Sequence, residues 1–414
     1  MPSSSSAPAG HSAWAMLLAL TGAFSLSQAF RTVAAIMAPQ LQAEFALSAQ
    51  ALGVFAGAFH FAFGAMQIFM GIAIDLHGVR RTVLTAFPLV IAGSALSALT
   101  ADFHWLVFGQ VLIGVGCAPA FLVCTVFVSR HFPGERFASV SGQVLGLGGI
   151  GMLATGTPLA WLMDGRSWRA GFVALGLLSL AAWAAIYWLV HEPPHEAASA
   201  GPRESLGSAV RSFGALFTVP HTLGILALAA VTYAAFITLR GLWLGPLLIT
   251  RHGFSLVAGG NAVLAVSIAS MVGAPLFGRI DPGPRTRRRW IIGFTLAVAV
   301  VLAVLAAGPG AVLDVIGPML VGLASGYIVL QYADVRAAYP AAMTGRAMAL
   351  FTMAMFLGVA LMQWLTGLVG SIAQGLGGDP FVAVLAAMAL LLAAGAAAFA
   401  WLPAPGGAQR DTSR

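Results

Sequence analysis

The sequence predicts an all-α membrane protein with twelve transmembrane helices in two pseudo-symmetric six-helix bundles. Of its 414 residues, 59% are hydrophobic and only 8% are charged, and the mean hydropathy is +0.92. Apolar runs of about 20 residues, the length needed to cross the ~30 Å hydrocarbon core, recur along the whole chain. Landmarks of the first half also reappear in the second half at a constant offset. This composition excludes a soluble globular domain.

Each half of the chain contains six apolar runs. In the first half they cover residues 14–37, 52–74, 83–99, 105–129, 140–163 and 171–190. In the second half they cover residues 223–249, 258–276, 290–307, 312–335, 348–372 and 381–402. The predicted bundles are therefore residues 13–190 and 221–402. Residues 191–220, rich in Pro, Ala, Ser and charge, are predicted to be a cytoplasmic linker, and residues 1–12 and 403–414 cytoplasmic tails.

An internal repeat relates the two halves. Three unrelated landmarks recur at an offset of 207 residues: a proline after the first helix, a glycine before paired arginines, and an aromatic residue followed by proline. Parallel repeats of six helices place a substrate site between the halves, near the bilayer midplane. The pairs are Pro39 with Pro246, Gly71 with Gly278, and Phe132 with Tyr339.

The basic residues orient the helices. All 20 are arginines, and short cytoplasmic loops are enriched in basic residues. With both termini inside, only Arg166, Arg169 and Arg251 fall on the opposite side. The chain is therefore predicted to be a multi-pass protein of the cytoplasmic (inner) membrane, in contact with membrane lipid. Because the arginines are spread over alternate loops and form no single basic face, nucleic acid is not an expected partner.

Two arginines, Arg31 and Arg240, lie deep inside apolar stretches at nearly matching positions of the two halves. An uncompensated charge at the bilayer centre costs ~3 kcal/mol or more, and no Asp or Glu is predicted at mid-depth to neutralise either arginine. A guanidinium donates two parallel hydrogen bonds to a carboxylate or phosphate. Arg31 and Arg240 are therefore predicted to clamp an anionic substrate. The alternative is that each donates to backbone carbonyls or reaches a membrane interface.

Helical spacing suggests further substrate-binding residues. An aromatic residue lies seven positions before each of the two arginines, and a glutamine lies three positions before the first. A single histidine is predicted in mid-helix, where its pKa range would suit proton relay or substrate binding. Packing is an alternative role for the aromatic residues, and a structural hydrogen bond is an alternative role for the histidine. The candidates are Phe24, Gln28, Tyr233 and His60, with Gln331 and Tyr332 from the tenth helix.

The loop between the second and third helices carries a motif rich in glycine and arginine. The pattern Gly-x-x-x-Asp-x-x-Gly-x-Arg-Arg, with Leu76 where a further Arg is usual, resembles the signature of the major facilitator superfamily, and the resemblance covers nearly all of the chain. It implies the major facilitator fold, a functional monomer and a charge latch that breaks and reforms as the halves rock. Arginines that only set topology are the alternative. The predicted gating residues are Gly71, Asp75, Gly78, Arg80, Arg81 and Arg130, with Arg279 and Asp281 as a degenerate second copy.

The first helix adds a resemblance to particular branches of this superfamily. Arg31 and Pro39, followed by Leu47 and Ser48, resemble the pattern of the organic-anion branches, the anion:cation symporters and organophosphate antiporters. In those branches a first-helix arginine, and in several a seventh-helix arginine, contacts the anionic group. Gln110 stands where the fourth helix often carries an arginine associated with proton coupling, which weakens a proton-driven mechanism.

The sequence therefore predicts a secondary active transporter that moves a small organic anion, a carboxylate or a phosphorylated metabolite, by alternating access. Neither enzymatic activity nor a cofactor or metal site is expected. A coupling ion or counter-anion is a further candidate partner. One alternative is a proton-driven exporter of drugs or amphipathic solutes, in which the arginines are structural. The 15 methionines raise a soft-metal or metal-chelate importer as a third function.

Overall fold

A computed structural model of the chain describes residues 10–133, 136–191, 214–308 and 310–404. Within these residues, twelve helices are long and apolar enough to cross a membrane, and no strand occurs among them. The prediction of an all-α protein with twelve membrane helices is confirmed. Most of the predicted linker 191–220 and most of both predicted tails lie outside the described residues.

In the first half, three of the six spans are broken into two helices. The broken spans are the first, α1 (Gly10–Phe30) and α2 (Ala34–Phe45); the fourth, α5 (Phe103–Cys117) and α6 (Ala120–His131); and the fifth, α7 (Phe137–Ala154) and α8 (Thr157–Met163). The second span is the part of α3 (Ala49–Ala86) before its kink at Gly78, the third span is the rest of α3 continued by α4 (Pro88–Leu99), and the sixth span is α9 (Arg169–Leu189).

In the second half, the seventh and tenth spans are the irregular ones. The seventh begins as α10 (Thr222–Thr238) and continues through two π-helical turns, Leu239–Trp243 and Leu247–Arg251. The tenth is broken into α13 (Ala311–Ser325) and α14 (Ile328–Ala338). The remaining spans are α11 (Leu256–Arg279), α12 (Pro284–Ala306), α15 (Ala341–Gly375) and α16 (Pro380–Trp401).

The second and third spans differ from the prediction. Residues 75–82 were expected to be a loop, but α3 extends from the second span through this region with a kink at Gly78. The backbone of Gly78 has φ 80° and ψ 171°, a conformation that only glycine adopts without strain. The kink therefore turns the chain between two spans without an extended loop.

The breaks of the first, fourth and tenth spans and the first π-helical turn of the seventh span lie near mid-length. The first span is interrupted at residues 31–33, between α1 and α2. Pro119 interrupts the fourth span. Irregular backbone at membrane depth is tolerated where it is buried in protein or lines a cavity. The breaks therefore mark the region between the two halves.

Close approaches between the halves lie toward one side of the bundle. We call this side the far face, and it holds the loops after α2, α4 and α8. The opposite side, where the chain begins and ends, is the terminal face. A Cβ on Gly53 of α3 would meet the backbone of Gln363 in α15, and one on Gly260 of α11 would meet the backbone of Gly156. Helices α1, α6, α10 and α14, which lead to the terminal face, pack mainly within their own half. The structure is therefore closed at the far face.

Candidate functional site

Arg31 lies at the break between α1 and α2, and its side chain is only 6% exposed. Its Nη1 donates to Oε1 of Gln28 at 2.6 Å, and its Nη2 donates to the hydroxyl of Ser27 at 3.3 Å. Its Nε is buried without a hydrogen-bond partner. Among the described residues, no carboxylate forms an ion pair with this guanidinium. The charge of Arg31 therefore has only neutral partners.

Two phenylalanines from opposite halves contact the Arg31 guanidinium. Its Cζ lies 4.3 Å from the ring centroid of Phe63 on α3 and 4.7 Å from that of Phe356 on α15. The two rings also contact each other, with centroids 4.4 Å apart. A cation is attracted to the face of an aromatic ring. Arg31 therefore lies where the two halves meet, and rings from both halves contribute to its surroundings.

Arg240 lies in the first π-helical turn of the seventh span and is fully buried. Its Nε donates to the hydroxyl of Ser267 at 3.0 Å, and its Nη1 donates to the carbonyl of Thr32 at 3.3 Å. Its Nη2 donates to the carbonyl of Met152 and to the hydroxyl of Thr155, the latter at 3.1 Å. Three of these four acceptors belong to the other half. The structure thus engages Arg240 with neutral oxygens, and anion binding by Arg240 stays a prediction.

The aromatic residues predicted near the two arginines have different surroundings. Phe24 is buried inside the first half, where its ring lies 5.0 Å from that of Phe121 and against Gly148. The ring of Tyr233 lies 5.5 Å from that of Phe356, in an edge-to-face arrangement. Tyr233 is therefore close to the surroundings of Arg31, whereas the contacts of Phe24 are packing contacts within one half.

The two predicted residues of α14 bond within the second half. Oε1 of Gln331 accepts a hydrogen bond from the hydroxyl of Thr232 at 3.1 Å, and its Nε2 is buried without a partner. The hydroxyl of Tyr332 lies 3.6 Å from the sulfur of Met355. Neither residue contacts Arg31 or Arg240 directly through these bonds, and their part in substrate binding stays a prediction.

His60 lies on the face of α3 that meets α15. Its Nδ1 is 3.2 Å from the carbonyl oxygen of Ala56, and because a carbonyl only accepts, Nδ1 carries the hydrogen. Its Nε2 is buried without a partner, and so are both polar atoms of the Gln363 side chain on α15. Gly57 and Gly64, about one turn to either side of His60, approach α15 closely. His60 and Gln363 are therefore polar groups within an interface between the halves.

The first gating motif lies at the terminal face. Arg80 follows the kink at Gly78, and its Nη2 donates to the carbonyl of Tyr187 at 2.9 Å. Its guanidinium also lies 5.5 Å from the Tyr187 ring. The side chain of Asp75 lies outside the described part of the structure. The predicted latch involving Asp75 therefore stays a prediction.

The other described residues of this motif differ in their exposure. Gly71 has open space beside it apart from one ordinary contact with Leu122. Arg81 and Arg130 are exposed. Arg279, from the predicted second copy, is likewise exposed at the end of α11.

The second copy of the motif contains a bidentate ion pair. Arg287 donates through Nε and Nη2 to both carboxylate oxygens of Asp281, at 2.6 to 3.2 Å. These bonds hold the pKa of the Asp281 carboxyl below its usual range. Gly283, which donates to Asp281 at 3.0 Å, has φ 81° and ψ 169°, nearly the conformation of Gly78. Gly283 is thus the counterpart of the turn glycine, which sequence spacing did not identify.

Sequence spacing also missed side chains that surround the two arginines. The internal repeat contained a signal for two of them. Ser267 lies 207 positions after His60, and Phe356 lies 207 positions after Gly149. Each is therefore the repeat counterpart of a first-half residue that lies at the interface between the halves. The carbonyls of Thr32 and Met152 had no such signal, because every residue type carries a carbonyl.

Comparisons with known proteins agree with this architecture. The family model of the Major Facilitator Superfamily matches residues 19–363. The hexuronate transporter of Bacillus subtilis (strain 168) is 28% identical over 182 residues, which are 42% of this chain and 41% of that protein. Efflux pump hmp6 of Hypomyces subiculosus is 25% identical over 166 residues, 40% of this chain and 29% of that protein. The chain thus matches less than half the length of these curated relatives.

The crystal structure of the nucleoside transporter NupG has the same fold. It superposes with a TM-score of 0.76 at 15% sequence identity, covering 94% of this chain and 99% of that one. The family model covers most of the chain, and the twelve apolar helices account for its multi-pass character. The chain therefore belongs to the Major Facilitator Superfamily and is a multi-pass membrane protein.

Proposed function

We propose that this transporter carries a small organic anion, such as a carboxylate or a phosphorylated metabolite, and that Arg31 binds its anionic group. The observation that carries the proposal is the buried guanidinium of Arg31, which lies where the halves meet and has neutral partners only. A charge at membrane depth that no carboxylate among the described residues neutralises is a functional-site hypothesis by default. An anionic substrate would supply the missing charge.

The geometry of Arg31 is suited to this role. Its Nε has no hydrogen-bond partner. Its other partners, Gln28 and Ser27, are neutral acceptors. A carboxylate or phosphate in their place would accept stronger, charge-assisted hydrogen bonds. Phe63 and Phe356 contact the guanidinium through their rings and offer apolar surface to the rest of a substrate. Because the rings come from opposite halves, rocking of the halves would change the surroundings of the anion. That change is the requirement of alternating access.

Arg240 is not free for an anion in this state, since neutral oxygens engage its guanidinium. The second part of the predicted clamp would therefore form only in another conformation. The relative named for hexuronate, an organic anion, supports the substrate class. The distribution of arginines supports cytoplasmic termini in the cytoplasmic membrane, and the far face would then be the external side. A coupling ion or a counter-anion would complete the transport cycle.

A thermal-shift screen of the purified chain tests the substrate class. The ligands are glucuronate, benzoate, glycerol phosphate, sulfate and the lipophilic cation tetraphenylphosphonium, tested on the wild type and on Arg31→Gln. A specific anion at 100 times its Kd is expected to stabilise the wild type by about 2.7 kcal/mol. A hydrogen bond to a charged group contributes about 1.5–3 kcal/mol. Its loss in Arg31→Gln is therefore expected to weaken anion binding by tenfold or more.

Arg289→Gln is the matched control, because Arg289 is exposed and its removal changes the net charge equally. Its response to the anion is expected to equal that of the wild type. Stabilisation by tetraphenylphosphonium alone, unchanged in Arg31→Gln, would contradict the proposal. That result would favour an exporter of amphipathic solutes in which the arginines are structural.

A further inference from the structure

Arg240 has an unusual set of partners for a buried cation. It is fully buried, yet among the described residues no carboxylate forms an ion pair with it. Its four acceptors are two hydroxyls and two backbone carbonyls. Only the hydroxyl of Ser267 belongs to the same half of the molecule as Arg240. The guanidinium therefore extends from one half into the other.

The two carbonyls are available because helices break beside them. Thr32 lies between α1 and α2, and Met152 lies in the last turn of α7. The amide of Gly156, which would bond to the Met152 carbonyl in a continuous helix, bonds to Leu153 instead. The last carbonyls of a helix lack helical partners and carry a partial negative charge. The ends of α1 and α7 thus stabilise the positive charge of Arg240 through neutral carbonyl oxygens.

The acceptors in the first half are also fixed relative to one another. The hydroxyls of Thr32 and Thr155 are 2.9 Å apart and hydrogen bonded, and Thr155 also donates to the carbonyl of Met152 at 3.0 Å. These bonds join the break in the first span to the break in the fifth span. A single guanidinium can therefore engage both spans at once.

The surrounding helix contacts lie between the same halves. A Cβ on Gly245, one turn beyond Arg240, would overlap the carbonyl of Ala35 in α2. The hydroxyl of Thr157 donates to the side chain of Asn261 in α11 at 2.6 Å. Among these contacts, Arg240 supplies the positive charge and three of the hydrogen bonds that cross between the halves. Opening the far face would separate its guanidinium from all three acceptors.

We propose that Arg240 is the lock that holds the far face of the transporter closed, with the carbonyls and hydroxyl of the other half in place of a salt bridge. Every partner of the lock belongs to the chain itself, so this role is independent of the substrate's identity. When the halves separate at the far face, Arg240 keeps only Ser267 and becomes open to water from that side. The closed state is therefore favoured by the arginine specifically, and a neutral side chain at this position shifts the equilibrium toward the far-face-open state.

Spin-label distances across the far face test the lock. Ala43 on α2 and Thr250 in the second π-helical turn are exposed on opposite halves, and Ala43→Cys with Thr250→Cys would carry the labels. Cys117 and Cys124 are buried and would be replaced by alanine. In lipid nanodiscs without added anion, the parent protein is expected to show one short distance. Arg240→Gln is expected to add a longer distance, with at least a threefold gain in that population.

Two milder variants keep the test decisive if Arg240→Gln does not fold. Thr155→Val removes an acceptor from the other half, and Ser267→Ala removes the acceptor from the same half. Thr155→Val is expected to increase the longer-distance population, whereas Ser267→Ala is expected to leave it nearly unchanged. An Arg240→Gln distribution that superposes on the parent's would overturn the proposal. So would a shift in Ser267→Ala equal to that in Thr155→Val.

Discussion

Arg31 and Arg240 are the same residue type at matching depths, and their partners differ. The guanidinium of Arg31 has two neutral side-chain acceptors, both on its own helix, and a free Nε. The guanidinium of Arg240 has acceptors in both halves. A buried cation needs partners, so Arg31, which has fewer hydrogen-bond partners, is better placed to accept an anion. Arg240, which has more hydrogen-bond partners, is better placed to join the halves.

A third arginine, Arg287, pairs with Asp281, whereas no carboxylate in the described part of the chain pairs with Arg31 or Arg240. The pair of Arg287 with Asp281 is testable through pH. Because the pKa of Asp281 is lowered in the folded state, the pair stabilises the protein above the usual aspartate pKa of about 3.9. This stabilisation is lost as the pH falls through the lowered value. At pH 7, Asp281→Asn is expected to be less stable by about 1 kcal/mol or less.

Thermal unfolding at pH 7 and near pH 3 would measure this difference. The gap between the wild type and Asp281→Asn is expected to shrink at the lower pH. The asparagine can still accept from the amide of Gly283, so the turn is preserved. Arg279→Gln, which removes an exposed arginine from the same loop, is the control and is expected to show no such pH dependence. A gap that is unchanged at low pH would rule out this ion pair as its source.

At the scale of the helices, glycines set how closely the two halves approach. Interfaces between membrane helices are enriched in small residues because these let backbones come together. The repeat gives the same solution twice, because the contact of Gly53 with Gln363 has a counterpart in the contact of Gly260 with Gly156. Gly260 lies 207 positions after Gly53, and Gly156 lies 207 positions before Gln363. Close packing at the far face therefore follows from glycines placed equivalently in the two halves.

Gly245 tests the packing of α2 against the seventh span. An added Cβ would overlap the carbonyl of Ala35, so Gly245→Ala forces the backbones apart and is expected to cost about 1–3 kcal/mol of overpacking. Thermal unfolding of the purified protein would measure the cost. Gly142→Ala is the matched control, because nothing lies within 4 Å of its Cβ position. Equal stability of the two variants would contradict the close approach of these spans.

At the scale of the whole molecule, the contacts between halves are concentrated on one side. The far face is closed, and the helices leading to the terminal face pack mainly within their own halves. Alternating access requires the opposite arrangement as well. Two halves related by a repeat can achieve it by rocking, because equivalent helices of each half form the contacts. The orientation of the protein in the membrane then decides whether the far face, which is closed in this structure, is the external or the cytoplasmic side.

The arginine distribution predicts that the terminal face is cytoplasmic. Arg285, in the first turn of α12, and Arg166, after α8, are exposed on opposite faces. In intact cells, a membrane-impermeant maleimide is expected to label Arg166→Cys but to label Arg285→Cys only after permeabilisation. The cysteine-free parent controls for background labelling. Labelling with the opposite pattern would reverse the orientation and the side at which the structure is closed.

The sequence by itself determined the twelve spans and the presence of two arginines within them, and its repeat predicts the division into halves. Hydrocarbon admits only long apolar helices, so composition and run length decide the architecture. The repeat at 207 residues marked equivalent positions, and the loop motif pointed to the family. These features depend on residue type and spacing, which can be read directly from the chain.

Only the tertiary structure decided which groups surround each arginine. Arg240 donates to the carbonyls of Thr32 and Met152, and carbonyls are common to every residue, so their availability depends on where helices break and how the spans pack. Phe63 and Phe356 reach Arg31 from different halves, and Asp281 pairs with Arg287 across a turn. Such contacts depend on the relative positions of helices, which hydropathy and spacing along one chain do not specify.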